Sequence, residues 1–231
     1  MIRVAVEFPA PGSADEVGAW ALDLLGCHAN GRDEREARDQ VRPAIERYLR
    51  HTRDLGSVAP TGEIDVVERY RCRWEGRYEV NALFEDDLRP ATAAEVDFVR
   101  AMLARTRAAL LEAVATPTRR HPDERAPEQV LHHVASTEWF YASRSSDDPE
   151  TRRREGRSEE LDAKKRLALV REWALARIGE LPGLGDRRWT HQGEIWTPRK
   201  ILRRFAYHEL DHVSELEDRA PALPRADAPR R

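Results

Sequence analysis

Hydrophobic and polar residues alternate through Arg3 to Phe8 (RVAVEF), a β-branched run that predicts a strand. A turn cluster, PAPGSADE, follows, and Ala19 to Leu25 (AWALDLL) predicts the antiparallel partner. Gly26-Cys27-His28-Ala29-Asn30-Gly31 reads as a tight loop. The period then changes to that of a helix. Ala37, Val41, Ile45, Tyr48 and Leu49 share one face of a helix that Asp33 caps and that runs to about Leu55, where Gly56 stops it. Ile64 to Tyr70 (IDVVERY) returns as a strand, so residues 1–72 predict a small mixed β-β-α-β domain.

Residues 73–91 read as a linker with one extended piece, Tyr78 to Phe84. Long helical periods begin at Thr92. The first helix, Ala93 to Ala115, carries Val96, Val99, Leu103, Leu110 and Val114 on one face. The second runs from Pro127 to Ser143, and the third from Leu161 to Leu181. The fourth starts with Thr197 as N-cap and Pro198 at its first position, and continues through Leu216. Thr116 to Asp123 reads as a loop, the charged Ser145 to Glu160 as a mobile surface loop, and residues 220–231 as a disordered tail. Four helices of this length predict an antiparallel four-helix bundle over residues 92–219, making the fold class α+β.

Composition narrows the function classes. The net charge of −3, with 35% charged residues, gives no chain-wide basic excess of the kind nucleic acid selects. Cys27 and Cys72 are the only cysteines, and no signal peptide or long apolar run precedes or interrupts the pattern. A cytoplasmic protein with reduced thiols and no membrane association is therefore expected.

The chemistry concentrates on the fourth helix. Ile201, Phe205, His208 and His212, with Glu215 or Leu216, fall on one inward stripe. Two buried imidazoles cost about 1–3 kcal/mol each unless partnered, and a shared metal ion partners both, because residues four apart stack on successive turns. A third ligand has to come from a neighbouring helix. The second helix offers His132 and His133, and its inward stripe of Val130, Val134, Thr137 and Tyr141 favours His133. Glu138, Glu209 and Glu215 are candidates for a general base or for orienting the imidazoles, with Glu209 expected as a solvated helix carboxylate. Trp139, Tyr141, Trp196 and Tyr207 are expected to serve packing, and His28 to be a turn residue.

His208-Glu209-Leu210-Asp211-His212 also satisfies H-E-x-x-H, which opens a zinc-peptidase alternative with Glu209 activating water. That alternative leaves His133 without a role. Its third ligand would have to be Glu215, Glu217, Asp218 or Asp227.

Two resemblances follow from quoted motifs. Leu25-Gly26-Cys27-His28, Asp33, Glu36-Ala37, Ala44-Ile45 and Tyr48-Leu49 make residues 1–72 similar to the HicB-like fold, best known as the antitoxin half of toxin–antitoxin pairs. No helix-turn-helix or ribbon-helix-helix pattern follows, so neither a repressor role nor nucleic-acid binding is expected. Pro127, Val130-Leu131, His133-Val134-Ala135 and Glu138-Trp139-Phe140-Tyr141 carry the second resemblance on one helix. Gly193-Glu194, Trp196-Thr197, Arg199, Ile201-Leu202-Arg203, His208-Glu209 and His212 carry it on the other. Together they resemble the DinB/YfiT-like metalloenzyme superfamily. That resemblance implies His133, His208 and His212 on one divalent ion, Zn²⁺, Ni²⁺ or Fe²⁺. In that superfamily, members with assigned activity include transferases and isomerases that use low-molecular-weight thiols. Joined to the residue reading, this gives the expectation of a transferase or hydrolase acting on a small molecule, with such a thiol as candidate partner and Glu138 or Glu215 as candidate catalytic groups. The competing expectation is a non-catalytic, metal-stabilised interaction, stress-response or antitoxin-like protein. A homodimer is expected in either case.

Overall fold

The computed structural model describes residues 1–116, 124–146, 148, 150, 151 and 157–219. It is an α+β protein with an N-terminal sheet and C-terminal helices. The sheet is built from β1 (Ile2–Phe8), β2 (Val17–Ala21), β3 (His28–Gly31) and β4 (Ile64–Arg71), in the order β3-β2-β1-β4. The β1–β2 and β2–β3 pairs are antiparallel, whereas β4 lies parallel to β1. Between β3 and β4 the chain crosses over through α1 (Glu34–Asp39) and α2 (Val41–Thr52), as a parallel return requires.

Two sequence expectations need correction here. The loop expected over residues 26–31 contains β3, whose Ala29 pairs with Ala19 and whose His28 pairs with Trp20. Asn30 and Gly31 carry little strand propensity, and pairing with β2 overrides that local preference. The single helix expected from Asp33 to Leu55 is broken at Gln40. Pro43 has no N–H to give the Asp39 carbonyl, so the helix restarts at Val41, with Ala44 N bonding Gln40 O at 2.9 Å. Asp33 caps α1 as expected, accepting from Glu36 N at 2.8 Å.

Residues 73–91 form more than a linker. A short hairpin, β5 (Arg73–Glu75) with β6 (Tyr78–Val80), leads to Ala82, Phe84 and Asp87, each 0% exposed. The long helices follow as α3 (Ala93–Ala115), α4 (Pro127–Ser143), α5 (Ala163–Glu180) and α6 (Pro198–Asp218). Helix α3 packs on α6, and α4 packs on both α5 and α6. A second hairpin, β7 (Trp189–His191) and β8 (Glu194–Trp196), delivers the chain into α6. Its two-residue turn puts Gln192 and Gly193 at φ 50° and 76°, the pattern of a primed turn that glycine makes accessible. The loop expected over 116–123 lies outside the described residues beyond Thr116, and so does the tail over 220–231. Of the expected mobile loop over 145–160, residues 147, 149 and 152–156 lie outside them.

One apolar core runs from the sheet into the helices. It joins Val4, Val6, Tyr48 and Leu49 to Val99 and Leu103 on α3, and to Leu202, Phe205 and Leu210 on α6. At Gly26 the contact is so close that a Cβ would stand 2.5 Å from the Ala206 Cβ. A second cluster, including Leu110, Val130, Val134, Leu167 and Val213, fills the far end of the helices. Helix α6 is therefore clamped along its length.

Its first turns are held by buried charge. Lys200 Nζ, fully enclosed, donates to Glu194 Oε1 at 2.6 Å, Asn81 O at 3.1 Å and Ile195 O at 3.2 Å. Arg203 forks onto the two Asp87 oxygens at 2.9 and 2.7 Å. Charges removed from water this completely are tolerable only when paired and hydrogen-bonded. Among the described residues no helix is long and apolar enough to cross a membrane.

Candidate metal centre

Helix α6 sets the phase of two histidines. Thr197 Oγ1 accepts from Lys200 N at 3.1 Å and donates to Asp87 O at 2.7 Å, so the helix start is fixed to the core. From that start His208 and His212 point the same way and are 8% and 5% exposed. Helix α4 begins with Pro127 in its first turn, and the Gln129 side chain accepts from Ala126 N at 2.7 Å. Its half-buried His133 faces the α6 pair.

The three imidazoles converge. Their ring centroids stand 4.6 to 5.0 Å apart, and one nitrogen from each ring falls within 4.8 Å of the others. His133 Nε2 and His208 Nε2 are 3.2 Å apart. Two imidazole nitrogens bound to one tetrahedral ion at the usual bond length would stand about 3.3 Å apart. The His133–His208 spacing matches that of two ligands on one ion, and the His212 nitrogen lies within 4.8 Å of both. Burial, helped by the neighbouring His212 and Arg125, pushes the His133 imidazole down to about 4. His208 is pushed well below its ordinary value, again chiefly by burial. Both rings are thus neutral at neutral pH, with lone pairs available.

Glu215 supports the third ring. Its Oε2 lies 2.6 Å from His212 Nδ1. The His212 hydrogen bond holds this carboxyl below the usual carboxylate range, so Glu215 stands as an acceptor facing Nδ1. Arg219 pairs with Glu215 on its other side and donates to Arg125 O at 3.0 Å, tying the end of α6 to the approach to α4. Carboxylates in this position orient a ligating imidazole and raise its basicity. Glu215→Ala should therefore weaken divalent-metal affinity by about tenfold to a hundredfold with the fold intact, as read by chelator competition. Unchanged affinity would show that Glu215 orients nothing.

The structure separates the other candidate carboxylates from the imidazoles. Glu138 is 3% exposed and spends its oxygens on Arg171 Nε at 3.1 Å and Arg107 Nη2 at 2.9 Å. Glu209, expected at the surface, is 2% exposed. It accepts from Thr106 Oγ1 at 2.7 Å, Arg107 Nε at 2.9 Å and Arg171 Nη2 at 2.7 Å. Both carboxylates belong to an arginine network between α3, α4, α5 and α6. Among the described residues neither carboxylate joins the three-histidine donor set, and the oxygens of both are engaged by arginines. His132 also stands outside the cluster, and its carbonyl accepts from Arg166 at 3.1 Å.

Tyr141 packs as expected, its ring 5.8 to 5.9 Å from those of Phe205, Trp196 and His208. Tyr207 instead leans toward the sheet, 5.0 Å from Trp20 and 4.7 Å from His28. His28 is therefore a strand residue in an aromatic contact rather than a turn residue. Sequence reasoning missed Arg107, Arg171 and Arg219. For Arg171 the available signal was an arginine beside Val170, on the inward side of its helix.

No curated protein and no solved structure matches the chain. The family model of the DinB superfamily matches residues 102–216, a span that takes in all three histidines and most of α3 through α6. This helical part of the chain is DinB-like.

Proposed function

We propose that the protein is a divalent-metal-dependent enzyme of the DinB type, with a four-helix bundle built from α3 to α6. It would act as a transferase or hydrolase on a small molecule, with a low-molecular-weight thiol as candidate co-substrate. The observation that carries this reading is the convergence of His133, His208 and His212 within 4.8 Å. Among the described residues no Cys, Asp or Glu completes that donor set, so it supplies three nitrogens and leaves coordination positions for other molecules. A bound ion would supply a Lewis acid able to lower the pKa of a water or thiol at neutral pH. Imidazoles do not choose among Zn²⁺, Ni²⁺ and Fe²⁺. The chain's own contribution is to hold three imidazoles in place, with Glu215 as the positioning residue behind His212. Residues 1–72 we read as a HicB-like module packed against the metal-bearing helix.

Elemental analysis of untagged protein tests the reading. Wild type should carry about one divalent ion per chain, lost in His133→Ala and equally in the His208→Ala, His212→Ala double variant. Loss in the double variant alone would make His133 a bystander. A folded wild type still empty after dialysis against each of the three metals would overturn the proposal and leave a binding protein.

A further inference from the structure

A second site lies about a quarter-turn around α6 from the histidine stripe, on the side of Arg204, Tyr207 and Asp211. A cleft of about 400 Å³ opens between the sheet and this helix, within the size range of small-molecule sites. Its floor is buried: Glu7 is 9% exposed, Arg204 8% and Trp20 2%. Exposed Asp15 and Glu16 stand at its mouth, and Asp211 of α6 lines it too.

The floor is unequally satisfied. Glu7 accepts from Ala82 N at 2.7 Å, Trp20 Nε1 at 2.9 Å, Arg204 Nη2 at 3.4 Å and Cys72 Sγ at 3.5 Å. Arg204 has that one long hydrogen bond, its guanidinium lies 5.4 Å from the centre of the Trp20 ring, and its Nε has no acceptor among the described residues. A guanidinium carries five donors, and leaving them open in a buried position is costly. Arg204 therefore lacks an acceptor that Glu7 cannot provide. A carboxylate ligand would supply two oxygens in the fork geometry a guanidinium prefers.

A simple anion does not suit the rest of the cleft. Glu7, Asp15, Glu16, Glu79 and Asp211 line it against the single Arg204 guanidinium. His28 adds no positive charge, because burial pushes it down to about 3. The ligand must offer oxygens at the floor and positive charge at the mouth. Between them the Trp20, His28 and Tyr207 rings, 4.2 to 5.0 Å apart, form a wall suited to a short apolar or cationic body.

We propose that this cleft binds a small zwitterion of the α-amino-acid type, its carboxylate on Arg204 and its ammonium toward the mouth carboxylates. The site requires no metal at the histidines, so it stands or falls independently of them.

Calorimetry on the full chain with each common L-amino acid tests this. At least one should bind with a Kd of about 1 mM or tighter. Its decarboxylated amine and its deaminated acid should each bind about tenfold more weakly or worse, because each leaves one pole of the cleft unpaired. Arg204→Met should weaken the amino acid by about tenfold or more while sparing the amine. Glu16→Lys, an exposed change that leaves the core untouched, should weaken the amino acid and the amine but not the acid. If Arg204→Met fails to fold, the Glu16→Lys pattern and the analogue series decide alone. The proposal is overturned if no amino acid binds, if the amine alone binds as well as the amino acid, or if the acid alone does.

Discussion

Arg171→Ala is expected to destabilise the protein by about 3–5 kcal/mol in urea or thermal unfolding, the scale for breaking a buried ion pair from one side. Arg171 is 8% exposed and donates to Leu103 O at 2.9 Å, to both Glu138 oxygens, and to Glu209 at 2.7 Å. Its removal leaves two buried carboxylates to Arg107, with Thr106 serving only Glu209. Burial already pushes the Glu138 carboxyl above its ordinary value even with Arg171 present. Without Arg171 the Glu138 carboxyl loses its main opposing charge and should be pushed up further. The loss should therefore shrink as pH falls.

Replacing the whole network by apolar residues of similar volume is a different experiment. The desolvation of four charges is then recovered together, and the net cost should be far smaller than for Arg171→Ala. A single-variant loss below about 1 kcal/mol would mean that water reaches the carboxylates, and the network would then have to be treated as a surface feature.

The helical half was legible because its signals are local. Pro127 opens α4 and the helix ends at Ser143, as its pattern predicts. Thr92 caps α3 and Thr197 caps α6 by side-chain hydrogen bonds that the sequence announces. The stripe argument also separated His133 from His132, which differ by about 100° around the helix. What escaped was set by partners distant in sequence. Glu209 looks like a solvated carboxylate until Thr106, Arg107 and Arg171 arrive from two other helices.

Strand β3 was invisible for a similar reason: four residues of low propensity become a strand only beside β2. The hairpin before α6 was legible but overlooked, since Gln192-Gly193 sits between two runs that pair Trp189 with Trp196. The segment over 73–91 has no period, because its buried residues each fill a separate gap rather than one face. Only the mutual position of the sheet and α6 was beyond the sequence altogether. The Arg204 cleft exists because of that position.

Glu7→Gln should remove a large part of the acid limb of the stability profile. Burial alone would raise this carboxyl; Arg204, Arg203 and the Ala82 amide together overcome it and hold it at about 2, against an ordinary 4.5. His28 and Cys72 face it from β3 and from the end of β4, and Trp20 from β2. In the unfolded chain the carboxyl takes up its proton near 4.5, while the folded chain resists until about 2. The unfolded state therefore binds more protons across that window, and acid favours it. The stabilisation is complete above 4.5 and is lost as pH falls through 2. A shift of this size corresponds to about 3 kcal/mol at neutral pH. Gln at this position keeps one amide oxygen, an acceptor for Ala82 N or Trp20 Nε1 but not for both, because these bond different Glu7 oxygens, and it offers Arg204 no charge. Wild type and Glu7→Gln should accordingly differ most at pH 7 and converge below pH 2 in unfolding experiments. A constant difference across the whole range would mean that Glu7 contributes by shape and hydrogen bonding alone. Arg203, already forked onto Asp87, would then be the charge that matters on this face of α6.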